Sequence, residues 1–301
     1  MPINSKWFPK QLDLAINKMW FTDFMEQPTF YDKVFKLKSA PPNGQIREAE
    51  LSGIGPLRAK TEGDFVTFDY PIEGNDVTRT FTEYALASQI TKVMVEDDYA
   101  GKITQMSKEL GRSAAIKPDT VGWDLFNNGF ATYTDITGNY LFTYSGRTAL
   151  KVKQTISNAP QTPSSLTKTT FEAALDYFRL AINSAGRYIR LNPKWLIVPY
   201  TLDRTGRVLL ETERLPGSMD NDVNTLKKEG SGIQILMVPY LTSSTAWFVL
   251  ANEHDFNISW KRKATFETTD DFMTGNAVMK IEERFSMFCN RYEGGYGNAG
   301  A

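Results

Sequence analysis

Residues 166–199, with the sequence LTKTTFEAALDYFRLAINSAGRYIRLNPKWLIVP, predict a helix followed by a buried strand. Thr169 with Glu172 three residues later predicts a capping box at the start of the helix. Apolar residues then recur at the spacing of one helical face, namely Phe171, Ala174, Leu175, Phe178 and Ile182. We expect the helix to end at Gly186, and the apolar run at 195–198 to form a buried strand.

The chain beyond this stretch contains a second strand of the same kind. Residues 235–238 are again a short apolar run, and both runs end in Val-Pro-Tyr. We interpret the two endings as two strands that leave one sheet. A short helix is expected at 207–214 and a third buried strand at 245–250, so that residues 159–250 form a compact module.

The C-terminal part of the chain alternates between apolar and polar residues. Phe256, Ile258 and Trp260 occupy alternate positions, and so do most apolar residues at 279–287. This pattern is typical of long, half-buried strands in an antiparallel sheet. The glycine-rich residues 294–301 are expected to form a loose tail.

The N-terminal part combines helical patterns with a segment rich in Gly and Pro. Apolar spacing predicts helices at 10–25 and at 85–117, the second being the longest in the chain. Between them, residues 41–82 contain short β-prone pieces such as 65–70. Because a two-stranded excursion is not stable alone, we expect it either to cover the protein's own core or to reach a neighbouring subunit.

Charge and hydropathy exclude several classes of partner. The 301 residues include 34 Lys and Arg against 35 Asp and Glu, a formal net charge of -1, which gives no overall field to hold the chain on DNA or on an anionic membrane. The sequence has no run of about 20 apolar residues that could span a bilayer. We expect the protein to stay in the cytoplasm in which it is made, or in an assembly formed there.

The reactive side chains are few. The one cysteine, Cys289, rules out an internal disulfide and a thiolate zinc cluster, and the one histidine, His254, leaves little for histidine-based catalysis. We therefore expect no catalytic, metal-binding or cofactor-binding residues, and interpret both side chains as structural. A Cys/His hydrolase, with these two residues as nucleophile and base, is the alternative from another functional class.

The order of the segments resembles the major capsid proteins of tailed bacteriophages, particularly the Mu-type major head subunit group. The run from Leu166 and Thr167 through 171–175 to 191–199 is similar to the family's helix followed by its P-x-x-L-V-V-P strand. Tyr84, 90–92 and 96–98 are similar to the start of the family's long helix. Further similar segments follow in family order, namely 126–130, Leu202, Asn221, Asn224, 235–241 and 245–248.

The resemblance implies an α+β chain with the Johnson capsid fold, which has an arm, a hairpin loop, and a peripheral and an axial domain. The peripheral domain holds the long helix and long antiparallel strands, and the axial domain is α/β. The implied parts are an N-terminal arm at 1–40, an extended β-hairpin loop at 41–84, a peripheral domain at 85–158 and 251–293, an axial domain at 159–250, and a flexible tail at 294–301.

The implied function is that of a major capsid protein. Such a protein self-assembles, through hexamers and pentamers, into the icosahedral shell that encloses the double-stranded DNA of a tailed phage, with little specific DNA binding. Scaffolding, portal and decoration proteins are the implied further partners, without a membrane or a cofactor. The implied location is the virion, assembled in the host cytoplasm. An encapsulin-like nanocompartment shell, which encloses enzyme cargo, shares the fold and is the nearest alternative.

Contacts between subunits are expected at aromatic and basic residues outside the predicted core. The aromatic ones lie in the N-terminal helix, in the hairpin segment and in a C-terminal strand, and the basic ones lie in the polar loop at 215–231, expected near the symmetry axes. They are Trp20, Phe24, Phe65, Phe68, Tyr70, Trp260, Lys227 and Lys228.

Overall fold

The computed structural model describes residues 27–91, 93, 102–213, 224–229, 232–270 and 276–301. The helix predicted at 10–25 lies outside these residues. The helices are α1 (Tyr31–Val34), α2 (Lys102–Asn127), α3 (Lys168–Leu180), α4 (Asp203–Glu211) and α5 (Leu226–Glu229). The strands are β1 (Lys36–Leu37), β2 (Gln45–Leu51), β3 (Glu73–Thr80), β4 (Thr82–Ile90), β5 (Pro193–Val198), β6 (Gln234–Met237), β7 (Trp247–Ala251), β8 (Phe256–Asp270), β9 (Ala277–Cys289) and β10 (Gly295–Asn298).

The chain divides into two compact units. The first consists of Met1–Ile46, Arg79–Gly122 and Asn257–Phe288, and the second of Arg47–Thr78, Trp123–Phe256 and Cys289–Ala301. The boundary predicted between 158 and 159 falls inside the second unit.

The first unit is built on a sheet with the strand order β1-β8-β9-β4. Strand β4 runs antiparallel to β9, with Leu86 opposite Ile281. Residues Met279, Ile281 and Phe285 are buried at alternate positions of β9, which confirms the predicted alternation as far as Phe285. Beyond it the prediction was wrong, because 286–288 are all buried. Helix α2 packs on this sheet through a cluster that contains Ile90, Leu110, Ala114, Met279 and Ile281.

The helix predicted at 85–117 was wrong at its N-terminal end. Residues Thr82–Ile90 form β4, although Ala, Leu, Glu and Gln in this segment favour a helix. Pairing with β9 along the whole segment outweighs this weak local preference. The described helix runs over Lys102–Asn127 and continues past Pro118, where the sequence predicted its end.

The second unit is built on a sheet with the strand order β10-β7-β5-β6. Strands β5 and β6 are parallel, with Leu196 opposite Ile235, so the two Val-Pro-Tyr segments do follow neighbouring strands of one sheet. Helix α3 buries Phe171, Ala174 and Phe178 against this sheet. The buried strand and the apolar helical face predicted within 166–199 are therefore confirmed.

Both ends of α3 differ from the prediction. The capping box is formed by Thr167 and Thr170 rather than by Thr169 and Glu172, and the helix starts at Lys168. It ends at Leu180, so Gly186 lies beyond it, in a turn with a φ of 79°. Hydroxyl groups at neighbouring positions offer equivalent caps, so the spacing alone does not choose between them.

The flexible tail predicted at 294–301 is instead an ordered strand. Residues Gly295–Asn298 form β10, which is buried and pairs antiparallel with β7. A Cβ atom at Gly297 would lie 2.6 Å from Cγ of Phe142, and one at Gly300 would collide with the backbone of Thr245. These glycines allow a close approach between backbone and core rather than mobility.

No helix within the described part of the chain is long and apolar enough to cross a membrane. Among the same residues, no group of three or more His, Cys, Asp and Glu side chains is arranged to hold a metal ion.

Candidate functional site

The segment 52–72, which joins β2 to β3, presents apolar side chains to solvent. Leu57 and Phe65 are 103% and 98% exposed, and Phe68 and Tyr70 are 78% and 72% exposed. The rings of Phe68 and Tyr70 are stacked, with their centroids 6.5 Å apart. Apolar side chains grouped on a surface in this way are typical of a protein interaction site. We call this segment the 52–72 loop.

The base of the 52–72 loop is closed by its two end residues. The backbone N–H of Ser52 donates to the carbonyl of Ile72 at 2.9 Å, and the backbone N–H of Ile72 donates to Oγ of Ser52 at 2.8 Å. Two glycines in the left-handed region make the turns within the loop, with φ values of 68° at Gly53 and 86° at Gly63.

A carboxylate in the middle of the 52–72 loop ties it to the rest of the second unit. Oδ2 of Asp69 accepts a hydrogen bond from the backbone N–H of Gly55 at 2.6 Å and one from Nζ of Lys151 at 2.7 Å. The Lys151 hydrogen bond, followed by that of Gly55, lowers the pKa of Asp69. A cleft of about 710 Å³ lies between the loop and a wall that includes Lys151, Val152 and Ala185.

Polar contacts also hold the strands that lead into the loop. Glu50 is buried, and its Oε1 accepts a hydrogen bond from Oγ of Ser184 at 3.0 Å. Burial raises the pKa of Glu50 and the Ser184 hydrogen bond lowers it, with a net upward shift. Arg47 and Asp76 form an ion pair across the two strands at 2.8 Å. The exposed apolar side chains are therefore presented by a segment that is held in place.

The predicted contact residues fall in different places. Phe65, Phe68 and Tyr70 lie together in the 52–72 loop, but the strand predicted at 65–70 is wrong, because these residues have no strand partner. Trp260 lies in β8 of the first unit, half-buried, with its ring 4.8 Å from that of Phe285. Lys227 is exposed and pairs with Glu213 at 2.8 Å. Trp20, Phe24 and the side chain of Lys228 lie outside the described residues.

Cys289 and His254 each have a structural hydrogen bond. Cys289 is fully buried, and its Sγ donates to the carbonyl of Arg291 at 3.2 Å. His254 is 5% exposed, and its Nδ1 accepts from the backbone N–H of Phe256 at 3.2 Å. A thiol buried in apolar surroundings is a poor nucleophile, so the geometry favours the structural interpretation.

Sequence reasoning missed a groove in the first unit, formed by β4, β9 and α2. Its volume is about 370 Å³, and its walls include Tyr84, Leu86, Ala114 and Lys117. Glu283 also lines it, although this side chain is only 3% exposed. The sequence did contain a signal for this groove, because Glu283 is an acidic residue on the apolar face of the alternating segment 279–287.

The carboxylate of Glu283 has no hydrogen-bond partner among the described residues. Burial raises its pKa to about 7, against the opposing effect of Lys117. The Nζ of Lys117 itself lies 4.6 Å from the ring centroid of Tyr84, in a cation–π contact. The groove thus combines apolar walls with one buried, unpaired acid.

A comparison with protein-family models identifies the chain. The model described as phage capsid protein matches residues 75–298, which include α2 and every strand from β4 to β10. The chain belongs to this phage capsid protein family. The subunit is a major capsid protein, which forms the shell of the virion, and the capsid resemblance inferred from the sequence is confirmed.

Solved structures give the fold. The capsid of cyanophage P-SCSP1u is similar at 12% identity and a TM-score of 0.60, over 91% of this chain and 89% of that one. The capsid of bacteriophage JBD30, decorated with minor capsid protein trimers, is similar at 15% identity and a TM-score of 0.57, over 72% and 92%. A virus-like particle from Pyrococcus furiosus is similar at 8% identity and a TM-score of 0.54, over 94% and 97%.

These identities are too low to establish more than the fold, which is the α+β, Johnson-type capsid fold expected from the resemblance. No curated protein sequence matches the chain. The function of the capsid subunit therefore rests on the family, whose members are structural proteins.

Proposed function

We propose that the capsid subunit assembles, through hexamers and pentamers of itself, into a closed icosahedral shell around the double-stranded DNA of a tailed phage, and that the 52–72 loop is a principal contact between subunits. The observation that carries the proposal is the near-complete exposure of Leu57 and Phe65 on a loop held by Asp69 and Lys151. Burying one such side chain contributes about 1.5–3 kcal/mol. A closed shell repeats each modest contact many times.

The charge of the subunit fits an enclosing role. Its formal net charge of -1 provides little attraction for DNA as a whole, so the shell can contain the genome without binding it tightly. The proposed partners of the shell are scaffolding, portal and decoration proteins. The proposed place of assembly is the host cytoplasm, before the virion is released. In this proposal the subunit also has no catalytic activity, and Cys289 and His254 are structural residues.

The test is the replacement of Phe65 and Phe68 by Ser, followed by electron microscopy and sedimentation of the purified protein. We expect the parent to form closed shells, and the variant to remain as folded subunits or small oligomers with an unchanged melting temperature. The matched control is Tyr188→Ser, because Tyr188 is also 75% exposed but lies outside the loop. Normal shells from the Phe65 and Phe68 variant would contradict the proposed role of the loop.

A nanocompartment shell would share this fold, so the fold similarities do not by themselves separate it from a phage shell. The match to the phage capsid family favours the phage shell instead. The contents of particles isolated from cells distinguish the two, since packaged double-stranded DNA supports the phage shell, whereas a single abundant enzyme inside the particles supports the nanocompartment.

A further inference from the structure

We infer that a basic surface of the second unit, formed by Lys153, Arg187, Tyr188 and Arg190, binds the phosphate backbone of the enclosed double-stranded DNA. We call these four residues the basic patch. This inference rests on the proposed function, in which the shell encloses DNA, and specifies which surface of the subunit contacts the DNA.

The positive charge of the chain is concentrated in one part of the sequence. Residues 136–202 contain eight Lys and Arg but only two Asp and Glu, a net charge of +6. The rest of the chain contains 26 Lys and Arg against 33 Asp and Glu, a net charge of -7. The near-neutral total therefore conceals a basic segment in an otherwise acidic subunit. Clustered positive charge of this kind is typical of a surface that binds nucleic acid.

The cations of this segment differ in whether they already have a partner. Four of them pair with carboxylates of the same subunit, namely Arg147 with Asp135, Lys151 with Asp69, Lys168 with Glu172 and Arg179 with Asp176. Lys194 lies over the ring of Trp195. Lys153, Arg187 and Arg190 are exposed and form no ion pair with another described residue. The described part of the subunit therefore leaves the charges of these three side chains open to a partner.

Three members of the basic patch lie on one hairpin. Ile182 forms an antiparallel bridge with Tyr188, and the backbone N–H of Ile189 donates to the carbonyl of Ala181 at 2.9 Å. Arg187 and Tyr188 therefore lie on the second strand of the hairpin, and Arg190 lies at its end. The ring of Tyr188 is 75% exposed, so it is presented to solvent together with the two guanidinium groups.

The fourth member, Lys153, is brought to this hairpin by contacts at its turn. The backbone N–H of Lys151 donates to the carbonyl of Ser184 at 3.2 Å. A Cβ atom at Gly186 would lie 2.5 Å from Cγ1 of Val152, so the two backbones approach closely. Lys153 follows Val152 and Arg187 follows Gly186 in sequence, and these two cations therefore flank the same contact.

The chemistry of the basic patch fits a phosphate backbone. Arg and Lys side chains donate to phosphate oxygens, and a Tyr hydroxyl can do the same. Such contacts do not depend on base sequence, which a shell around a whole genome requires. Three cations make a weak contact in one subunit, and a shell repeats this contact in every subunit. The DNA would then be contacted at many points without being held tightly at any of them.

The first test measures the binding of a short fluorescein-labelled DNA duplex to isolated subunits by fluorescence anisotropy at low salt. The variant replaces Lys153, Arg187 and Arg190 by Gln. We expect roughly tenfold weaker binding. We also expect the slope of log K against log salt concentration to become less negative by up to about 2.7, which is about 0.9 for each cation removed.

The matched control replaces Arg112, Arg207 and Lys280 by Gln. This control changes the net charge equally, but each of its cations is paired with a carboxylate of its own subunit. We expect it to bind the duplex like the parent. An equal loss in both variants, or a loss in neither, would overturn the inference.

An acidic peptide and an anionic membrane are the other surfaces that a basic patch could contact. Polyglutamate and vesicles of an anionic phospholipid are therefore measured in place of the duplex. We expect both to bind the parent more weakly than the duplex does at the same concentration of negative charge. Tighter binding of either one, through the same three cations, would overturn the inference.

The second test asks whether DNA covers the basic patch inside the particle. Cys289 is fully buried, so the thiol of a Tyr188→Cys subunit would be the accessible one. We expect N-ethylmaleimide to modify this thiol several-fold more slowly in DNA-filled particles than in DNA-free shells, and at one rate after both are dissociated. Equal rates in the two intact particles, whether fast or slow, would overturn the inference, because a subunit interface or an outer surface does not depend on the DNA.

The inference and the proposed function fail on different results. If DNA-filled shells form but the triple Gln variant binds the duplex like the parent, only the inference fails. If the subunit forms no shells, the proposed function fails, and duplex binding by isolated subunits is still measured. The replaced side chains are exposed, so we expect an unchanged melting temperature. Should it fall, the single Gln variants replace the triple one, each with about a third of the change in slope.

Discussion

Nζ of Lys151 donates a hydrogen bond to Oδ2 of Asp69 at 2.7 Å, and this contact fixes the middle of the 52–72 loop to the second unit. The loop presents fully exposed apolar side chains, so its own burial does little to order it. A surface that is ordered before it binds loses less conformational entropy when it binds. We therefore regard the Asp69–Lys151 pair as a device that prepares the loop for assembly.

Replacing Lys151 by Ala should loosen the 52–72 loop without destabilising the subunit. The Asp69–Lys151 pair is partly exposed, with side chains 39% and 13% exposed, and ion pairs near the surface contribute little to global stability. We therefore expect a nearly unchanged melting temperature, faster trypsin cleavage after Arg58 and Lys60, and a lower yield of shells. Limited proteolysis with mass spectrometry measures the rate of cleavage, and sedimentation measures the yield of shells. Arg187→Ala, at an exposed cation outside the loop, is the control, and equal cleavage rates in both variants would refute this role of Lys151.

Glu283→Gln should stabilise the dissociated subunit at pH 8. Burial raises the pKa of Glu283 from 4.5 to about 7, so the folded state holds a proton that the unfolded state loses. Burial of Glu283 therefore costs the parent least below pH 4.5, where the side chain is protonated in both states. The free energy of unfolding of the parent falls as the pH rises from 4.5 to 7. The groups that act on this site are Lys117, on α2, and Tyr31, on α1.

At pH 8 we expect the Gln variant to exceed the parent in free energy of unfolding by up to about 3 kcal/mol. The difference should shrink as the pH falls through 7 and vanish near the unfolded pKa of 4.5. Urea unfolding of dissociated subunits across this pH range measures it. A parent that is more stable than the variant at pH 8 would show that Glu283 already has a partner within its own subunit.

Two glycines should respond to Ala in opposite directions. Gly297→Ala would place a Cβ atom 2.6 Å from Phe142, so we expect a loss of about 1–3 kcal/mol in unfolding free energy. Gly206 lies inside α4, where a Cβ atom would make ordinary contacts at 3.5 Å with Leu196, so Gly206→Ala should gain about 0.5–1 kcal/mol. Thermal unfolding of both variants decides whether the C-terminal strand is part of the core, and a neutral Gly297→Ala would argue against it.

Cys289→Ser and His254→Ala should leave shell formation and infectivity nearly intact. A Ser hydroxyl can donate to the Arg291 carbonyl as the thiol does. Loss of the Nδ1 acceptor of His254 should cost stability by about 1–3 kcal/mol without a loss of function. Plaque counts and electron micrographs measure both, and a normally assembled but inactive variant would revive the hydrolase hypothesis.

The elements that could be predicted from the sequence are those with a strong local pattern. Phe171, Ala174 and Phe178 repeat at helical spacing and do pack on one face of α3. The apolar runs within β5 and β6 are buried strands because both lie inside one sheet. In such segments the local pattern and the tertiary packing favour the same structure.

The elements that could not be predicted depend on distant partners. Residues Thr82–Ile90 have helix-favouring side chains but form a strand because β9, almost 200 positions later, pairs with them. The glycines at 294–301 were interpreted as flexible, whereas their lack of a Cβ atom lets β10 approach Phe142. In both cases the deciding contact is absent from the local sequence.

The candidate site was predicted only in part. The aromatic residues at 65–70 were correctly placed in a segment without its own core, but they lie in a loop rather than in a strand. Glu283 was visible as an acid on an apolar face, yet its significance depends on the absence of a partner among the described residues. That property requires the packing of β4 and α2 against β9, and the spacing of residues does not reveal it.

The most direct test of the account is electron microscopy of a subunit that lacks the 52–72 loop. Ser52 and Ile72 are paired through their backbones, so residues 53–71 can be replaced by a two-residue Asn-Gly turn without disturbing β2 and β3. We expect a subunit that melts like the parent and forms no closed shells at any concentration at which the parent assembles. Closed shells of normal size from this variant would contradict the claim that the loop joins the subunits.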